Sequence, residues 1–174
     1  MPFTIRDFHP SDFDTLWRID QQCFPPGISY SRKELNFYMQ RRGSFTLLAI
    51  NHASPNSGTT KKNFPPTPIS NNQIAGFIVG EANRTTGHII TIDVVATVRR
   101  AGVGSLLLRA AEARLQAAHC LSVELETAVD NTSALSFYKR HAYNVIKTHP
   151  RYYANGVDAL VLQKALQKDL PSSP

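Results

Sequence analysis

The chain has 174 residues, a hydrophobic content of 42% and a formal net charge of +6. This length suits one domain with a sizeable core, so residues 1–174 are expected to fold as a single domain. The positive charges lie in short pairs and form no dense basic tract, so no nucleic-acid partner is predicted. The two cysteines lie far apart without zinc-like spacing, so neither a disulfide framework nor a metal site is predicted.

The N-terminal region is charged where a signal peptide needs an apolar stretch. Arg6, Asp7, Asp12 and Asp14 interrupt it, and no apolar run in the chain reaches the length of a membrane span. We therefore expect an unsecreted, cytoplasmic protein without a membrane partner.

Apolar spacing and turn residues predict alternating strands and helices along the chain. Strands are expected over 3–6, 44–50, 74–80, 88–95, 121–127, 143–148 and 157–163. Helices are expected to start at Ser11, Ser31, Gly102 and Asn131, the second with Glu34 completing a capping box. Residues 51–72 are rich in polar residues and proline and predict a flexible loop, with a tail over 167–174. This order predicts an α/β (α+β) layer with a strand–helix–strand crossover at its centre.

Two of these elements carry predictions about burial. The strand over 88–95 is almost continuously apolar, which is typical of a strand buried on both faces. In the helix after Gly102, Leu107 and Ala111 are expected to face the core, and Glu112 the opposite, polar side.

The run Arg99-Arg100-Ala101-Gly102-Val103-Gly104 joins that strand to that helix and is typical of a phosphate-binding turn. Glycines let the backbone approach an anion, and the helix N-terminus attracts it. The run lacks the third glycine of a dinucleotide fingerprint and the Gly-Lys-Ser/Thr end of a P-loop, so neither NAD nor a nucleoside triphosphate is predicted. A purely steric role of the two glycines stays open at this point.

An acid, an amide and a phenol follow in the next strand and helix. Asn131 is expected to cap the helix, and Tyr138 lies seven residues later, roughly 10 Å along the same face. Glu126 lies near the end of the preceding strand, so the three side chains could meet at the mouth of the sheet. A structural role for each of them also stays open.

The segments IDVVATVRRAGVGSLLL and LETAVDNTSALSFYKRHAY resemble the acetyl-CoA-binding core of the GNAT superfamily, whose signature is Arg/Gln-x-x-Gly-x-Gly/Ala. They are most similar to the bacterial N-terminal acetyltransferases that modify ribosomal-protein alanine, and the likeness runs from about Thr4 to Leu166. The resemblance implies a mixed central sheet of about six to seven strands flanked by about four helices. It implies acetyl-CoA as the cofactor and a protein or peptide N-terminus as the acceptor, a ribosomal protein among the candidates.

The resemblance also implies roles for individual residues. Glu126 corresponds to the proton acceptor and Tyr138 to the proton donor, for which a pKa near 10 is expected. Cofactor binding is implied for Ile92, Asp93, Val94, Arg99, Arg100, Ala101, Gly102, Val103, Gly104, Ser105 and Asn131. The lining of a peptide groove is implied for Phe24, Pro25, Tyr152 and Tyr153.

The chain departs from the family pattern at three positions. Ala96 replaces a common proline, and Asp93 replaces a small apolar residue, which makes Asp93 a rival base. Ala142 replaces the glycine that usually follows the tyrosine-bearing helix, so a left-handed turn there would be strained. Two other functions stay open, namely acetylation of a small-molecule amine and non-catalytic binding of acyl-CoA.

Overall fold

A computed structural model describes residues 3–52 and 73–166 of the chain. The loop predicted over 51–72 lies outside the described residues except for its first two positions, and the tail predicted over 167–174 lies wholly outside them.

A seven-stranded sheet forms the centre of the fold, in the order β1-β2-β3-β4-β5-β7-β6. All neighbouring strands are antiparallel except β4 and β5, which run parallel. The predicted mixed sheet is therefore confirmed. The strands are β1 Phe3–Asp7, β2 Ser44–Asn51, β3 Gln73–Asn83, β4 Thr86–Val94, β5 Ser122–Ala128, β6 Asn144–His149 and β7 Ala159–Ala165.

Within the described residues, four α-helices cover the sheet: α1 Phe13–Cys23, α2 Arg32–Gln40, α3 Val103–Ala117 and α4 Thr132–Arg140. The capping box predicted for α2 is confirmed, because the Ser31 N–H donates to Glu34 Oε2 at 2.8 Å and the Glu34 N–H to Ser31 Oγ at 3.3 Å.

The predicted start of α1 at Ser11 is wrong. Ser11 lies inside a short 3₁₀ turn, Pro10–Asp12, and α1 begins at Phe13. The His9 N–H donates to Asp12 Oδ2 at 2.8 Å, so His9 and Asp12 close a capping box whose first residue lies two positions before the cap predicted at Ser11.

The sheet buries two apolar layers, one beneath α3 and one beneath α1 and α2. β4 lies between the two layers, with Ile89 beneath α3 and Ile90 against the layer beneath α1 and α2, in agreement with the prediction that both of its faces are covered, and its residues alternate between full and partial burial. A bulge places Gly80 opposite Ile89 and Val79 opposite Thr91. After the bulge, each side chain of β4 projects from the face opposite to the one that an unbroken alternation predicts. As a result Ile89 and Ile92 both pack beneath α3.

β4 and β5 pair over a short stretch only, from Thr86 opposite Ser122 to Ile89 opposite Leu125. Beyond these residues, β4 and β5 do not pair with each other. Because α3 begins just beyond the end of β4 and α4 just beyond the end of β5, both helix N-termini face this opening.

Candidate active site

An open cavity of about 680 Å³ lies where β4 ends and the first turns of α3 and α4 begin. Among the residues expected to bind a cofactor, those that line it are Ile92, Val94, Arg99, Arg100, Gly102, Gly104, Ser105 and Asn131. Ala101 and Val103 belong to the same turn but do not line the cavity, and Val103 is buried in the core.

The two glycines of the turn differ in whether the backbone requires glycine. Gly102 has φ +87°, and a Cβ placed on it would meet no atom within 4 Å, so its backbone conformation rather than space favours glycine. A Cβ on Gly104 would lie 3.4 Å from the Phe137 ring, an ordinary contact distance, so a small side chain would fit there against α4. Arg100 also has a positive φ, +66°. Alternating conformations of this kind turn backbone N–H groups toward one point, which suits a pyrophosphate.

Asn131 and Tyr138 line the same cavity. Asn131 Oδ1 accepts a hydrogen bond from the Ala134 N–H at 3.1 Å, which confirms the predicted cap of α4. Tyr138 is almost fully buried, and burial, together with the charge of Asp93 and the proximity of Tyr153, raises its pKa. The expectation of an ordinary pKa near 10 for Tyr138 is therefore wrong.

Glu126 does not line the cavity; its carboxylate bonds a histidine that the sequence did not single out. Glu126 Oε2 lies 2.6 Å from His88 Nε2. Burial lowers the pKa of His88, but the hydrogen bond and the charge of Glu126 outweigh it, so the pKa lies above its ordinary value. No local pattern marks His88, because its partner is 38 residues away on the neighbouring strand.

Asp93, the rival base, is fully buried and does not line the cavity. Its Oδ2 accepts a hydrogen bond from Thr91 Oγ1 at 2.8 Å, while Oδ1 has no hydrogen-bond partner among the described residues. Burial and the nearby charge of Asp20, itself fully buried, raise the pKa of Asp93 to about 8. The carboxyl group is thus placed to hold a proton rather than to contact an acceptor.

Of the four expected groove residues, the two tyrosines lie near Glu126. Phe24 lines the cavity, whereas Pro25 is exposed outside it. Burial is the first cause that raises the pKa values of Tyr152 and Tyr153, and the charge of Glu126 adds to both shifts, so both phenols lie near this carboxylate.

The segment that carries the two tyrosines is held by its own hydrogen bonds. The Arg151 N–H donates to Asp158 Oδ1 at 2.7 Å, and the Tyr153 N–H to the Val157 carbonyl at 3.1 Å. The Tyr152 and Tyr153 rings meet edge to face at 5.1 Å.

Tyr30 and Tyr38 extend this aromatic group, and the sequence did not single them out. Their rings meet edge to face at 5.3 Å. Burial raises the pKa of Tyr30, and Tyr38, Tyr152 and Tyr153 add to the shift. The four phenols therefore lie within electrostatic range of one another.

Among the described residues, neither a cysteine nucleophile nor a metal site is indicated. Cys23 lines the cavity, but burial raises the pKa of its thiol to about 11, which disfavours a nucleophilic thiolate. Within residues 3–52 and 73–166, no three His, Cys, Asp or Glu side chains are grouped as metal ligands would be. In the same part of the chain, no helix is long and apolar enough to cross a membrane.

Comparison with known proteins gives consistent sequence matches. The profile of the Acetyltransferase (GNAT) family matches residues 13–143. An uncharacterised N-acetyltransferase of Methanocaldococcus jannaschii is 35% identical over 161 residues, which cover 92% of this chain and 90% of that protein. An N-alpha-acetyltransferase of Sulfurisphaera tokodaii is 35% identical over 81 residues, which cover 46% of this chain and 48% of that relative.

Solved structures share the fold over nearly the whole chain. Ard1 from Thermoplasma volcanium superposes with a TM-score of 0.77 at 24% identity, covering 97% of this chain and 100% of that one. The ribosomal-protein-S18-alanine N-acetyltransferase from Escherichia coli gives a TM-score of 0.73 at 18% identity, covering 99% of each chain. At these identities the likeness shows the fold alone.

Proposed function

Because the chain belongs to the Acetyltransferase (GNAT) family, we propose that it acetylates the N-terminal α-amine of a protein. Acetyl-CoA is the acetyl donor in this family, and the turn at Gly102 suits its pyrophosphate. The relative from Sulfurisphaera tokodaii, named an N-alpha-acetyltransferase, supports this acceptor class.

The observation that carries this proposal is the aromatic group beside Glu126. Tyr152 is half exposed, and both it and Tyr153 lie within electrostatic range of the Glu126 carboxylate. Phenols offer both apolar surface and hydrogen bonds to an extended peptide backbone. A peptide seated along them would present its first amine at Glu126.

Glu126 acts as the proton acceptor in this proposal. An α-amine has a pKa near 8 and is nucleophilic only when neutral, so a carboxylate must remove a proton, directly or through a water. Acetyl-CoA supplies an activated thioester for the attack. Glu126 stands beside the tyrosines rather than in the wall of the cofactor cavity, which suits a base that approaches the acceptor from the opposite side.

Tyr138 acts as the proton donor to the leaving thiolate. It lines the cavity and is nearly buried, and its raised pKa keeps the phenol protonated throughout the neutral range. Asn131, in the first turn of the same helix, completes this wall of the cavity.

The test is to incubate the protein with acetyl-CoA and a panel of peptides that start with Ala, Ser or Met, and to quantify acetylated product by mass spectrometry. The same peptides with a blocked N-terminus and an internal lysine serve as controls. We expect acetylation only of the free α-amine, and at least a hundredfold loss of kcat in Glu126→Gln.

Other outcomes would identify the alternatives. Acetylation of polyamines or amino acids in preference to every peptide would replace the proposed acceptor with a small amine. Binding of acetyl-CoA without turnover on any amine would identify a non-catalytic acyl-CoA-binding module.

A further inference from the structure

Three carboxylates surround His88 on one face of the sheet. His88 of β4 lies directly opposite Glu81 of β3 and Glu124 of β5. Residues directly opposite each other on neighbouring strands project from the same face, and Glu126, two residues beyond Glu124, shares that face. Of the three carboxylates, Glu126 is the one that bonds the imidazole, with Oε2 at 2.6 Å from Nε2.

The other two carboxylates have partners of their own. Arg41, which follows α2, lies 3.2 Å from Glu81, and the Gln163 amide of β7 donates to Glu124 at 2.7 Å. Their charges still act on His88 and favour its protonated form. The imidazole is therefore hydrogen-bonded to Glu126, with the carboxylates of Glu81 and Glu124 nearby.

His88 is the more exposed partner of the pair with Glu126. Its side chain is 36% exposed, whereas that of Glu126 is 19% exposed. An imidazole has two nitrogens that can take up a proton at one side and release it at the other. With Nε2 bound to Glu126, Nδ1 is the nitrogen left to exchange protons with other groups or with water.

We propose that His88 is a positioning residue for the acetyl transfer: it orients the Glu126 carboxylate and carries the proton that Glu126 removes from the acceptor to solvent. This inference rests on the proposed role of Glu126 as the base. It goes further in naming where the proton leaves the site.

The proton balance of the reaction requires such an exit. When the amide C–N bond forms and the thioester C–S bond breaks, an acceptor ammonium group loses two protons. One ends on the thiol of coenzyme A, with Tyr138 as its donor, and the other leaves to solvent. In the tautomer that carries its proton on Nδ1, neutral His88 accepts this second proton from protonated Glu126 at Nε2 and releases the Nδ1 proton to water, and exchange with water then restores the starting tautomer. A protonated His88 cannot accept the proton, so turnover rises with pH as the His88 imidazolium becomes neutral.

The first experiment is the pH profile of kcat at saturating acetyl-CoA and acceptor, for wild type, His88→Gln and Glu126→Gln. Glutamine keeps a donor to Glu126 but does not titrate. We expect wild-type kcat to rise through an apparent pKa above 6.5, and His88→Gln to lose that rise and about tenfold of the high-pH kcat. His119→Asn, at an exposed turn after α3, should keep the wild-type profile.

The second experiment is an NMR titration of the His88 imidazole in wild type and in Glu126→Gln, which depends on no acceptor and on no folded His88 variant. We expect a His88 pKa above 6.5 in wild type that falls without the hydrogen bond and charge of Glu126.

The two experiments separate the possible failures. A His88→Gln variant with the wild-type pH profile overturns the proton-carrying role, and so does a His88 that titrates at or below 6.5. If Glu126→Gln keeps wild-type kcat, the proposed base fails, and the inference on His88 fails with it. If the panel yields a small amine as acceptor, the pH profile is measured with that amine, so the proposed acceptor can fail while His88 is still tested.

Discussion

The burial of Tyr138 sets how this residue can act as an acid. Its raised pKa keeps the phenol protonated at neutral pH, but a thiol titrates near 8.5, so the phenol is the weaker acid of the two. Complete transfer to a free thiolate is therefore uphill. Tyr138 is expected to share its proton as the C–S bond breaks and to be reprotonated from the acceptor.

Tyr138→Phe tests this role with little change in packing. The ring contacts to Phe137 and Tyr143, at centroid distances of 5.2 and 5.5 Å, are available to phenylalanine as well. We expect kcat to fall by about a hundredfold and the Kd of acetyl-CoA to change less than threefold, measured by steady-state kinetics and calorimetry. An equal loss of kcat and affinity would assign Tyr138 to binding.

Asp93 links the pH of the solution to the stability of the fold. The folded state holds the Asp93 proton up to a pKa of about 8, whereas an unfolded chain releases it near 3.9. The folded state therefore binds more protons over this window, and stability falls as pH rises, by at most about 1.4 kcal/mol per pH unit. Asp20, with a pKa raised to about 6, adds to this slope at the lower end of the window.

Asp93→Asn should remove the part of the slope that Asp93 causes. We expect the variant to become more stable relative to wild type as pH rises from 6.5 to 8, because the unfolding free energy of wild type falls with pH and that of the variant falls less. Urea denaturation at each pH measures both free energies. Asp14→Asn, at an exposed position of α1, should leave the slope unchanged. Parallel curves for Asp93→Asn and wild type would show that Asp93 is ionised in the folded state.

At the scale of elements, the turn after α4 carries strain that the sequence indicated. Ala142 has φ +65°, which confirms the left-handed turn expected where related proteins have glycine. The left-handed conformation costs an L-residue about 1–2 kcal/mol. Glycine avoids this cost, but it loses more conformational entropy on folding, so the net gain in stability is smaller.

Ala142→Gly should therefore raise the unfolding free energy by about 1 kcal/mol, which corresponds to a Tm increase of roughly 2–4 °C. Ala113→Gly, at an exposed position inside α3, is the matched control and should lower stability by about 1 kcal/mol. Differential scanning calorimetry measures the Tm of both variants. A lower Tm for both variants would show that the turn at Ala142 is not strained.

The bulge in β4 turns Asp93 to the face of the sheet that carries Glu126, the other carboxylate that the sequence offered as a base. Without it, the strand would keep a single alternation from Ile89 to Asp93, and Asp93 would point beneath α3 with Ile89. With it, Asp93 turns away from that layer and lies near Cys23 and Asp20. Sequence period alone gives no sign of this reversal, because the extra residue, Ile90, is as apolar as its neighbours.

At the scale of the whole molecule, local chemistry was predictable and pairing across the chain was not. Ser31 and Glu34, three residues apart, fix their capping box by themselves. Glu112 was expected on the polar side of α3, which is wrong. It is buried, accepts a hydrogen bond from the Tyr143 hydroxyl at 3.0 Å and pairs with Lys164 at 2.7 Å. These partners come from distant segments, so helical spacing could not indicate them.

In the candidate site too, residues that are close in sequence were predictable, whereas a pair formed by two distant strands was not. The turn from Arg99 to Ser105 and the wall from Asn131 to Tyr138 are each contiguous in sequence, and the pattern of residues indicates both. The pair of His88 and Glu126 depends on the register of β4 against β5, which no local pattern specifies.

A ligand bound where β4 and β5 part would hold the two parts of the sheet together. These two strands join β1–β3 to β6 and β7, yet they pair only between Thr86 and Leu125. A ligand seated beyond that stretch contacts β4 and the N-termini of α3 and α4 together. Coenzyme A at one hundred times its Kd should stabilise the protein by about 2.7 kcal/mol, or roughly 5–10 °C in Tm.

Differential scanning fluorimetry with two ligands and two variants tests where this stabilisation arises. Pantetheine, which lacks the phosphates, should shift Tm far less than coenzyme A at equal concentration if the turn at Gly102 binds the pyrophosphate as proposed. Arg100→Ala should weaken the Kd of coenzyme A by roughly tenfold, or about 1.4 kcal/mol. Arg109→Ala removes the same charge from an exposed position of α3 outside the cavity and should leave the Kd unchanged. Equal weakening by both variants would mean that net charge, rather than the turn, attracts the ligand.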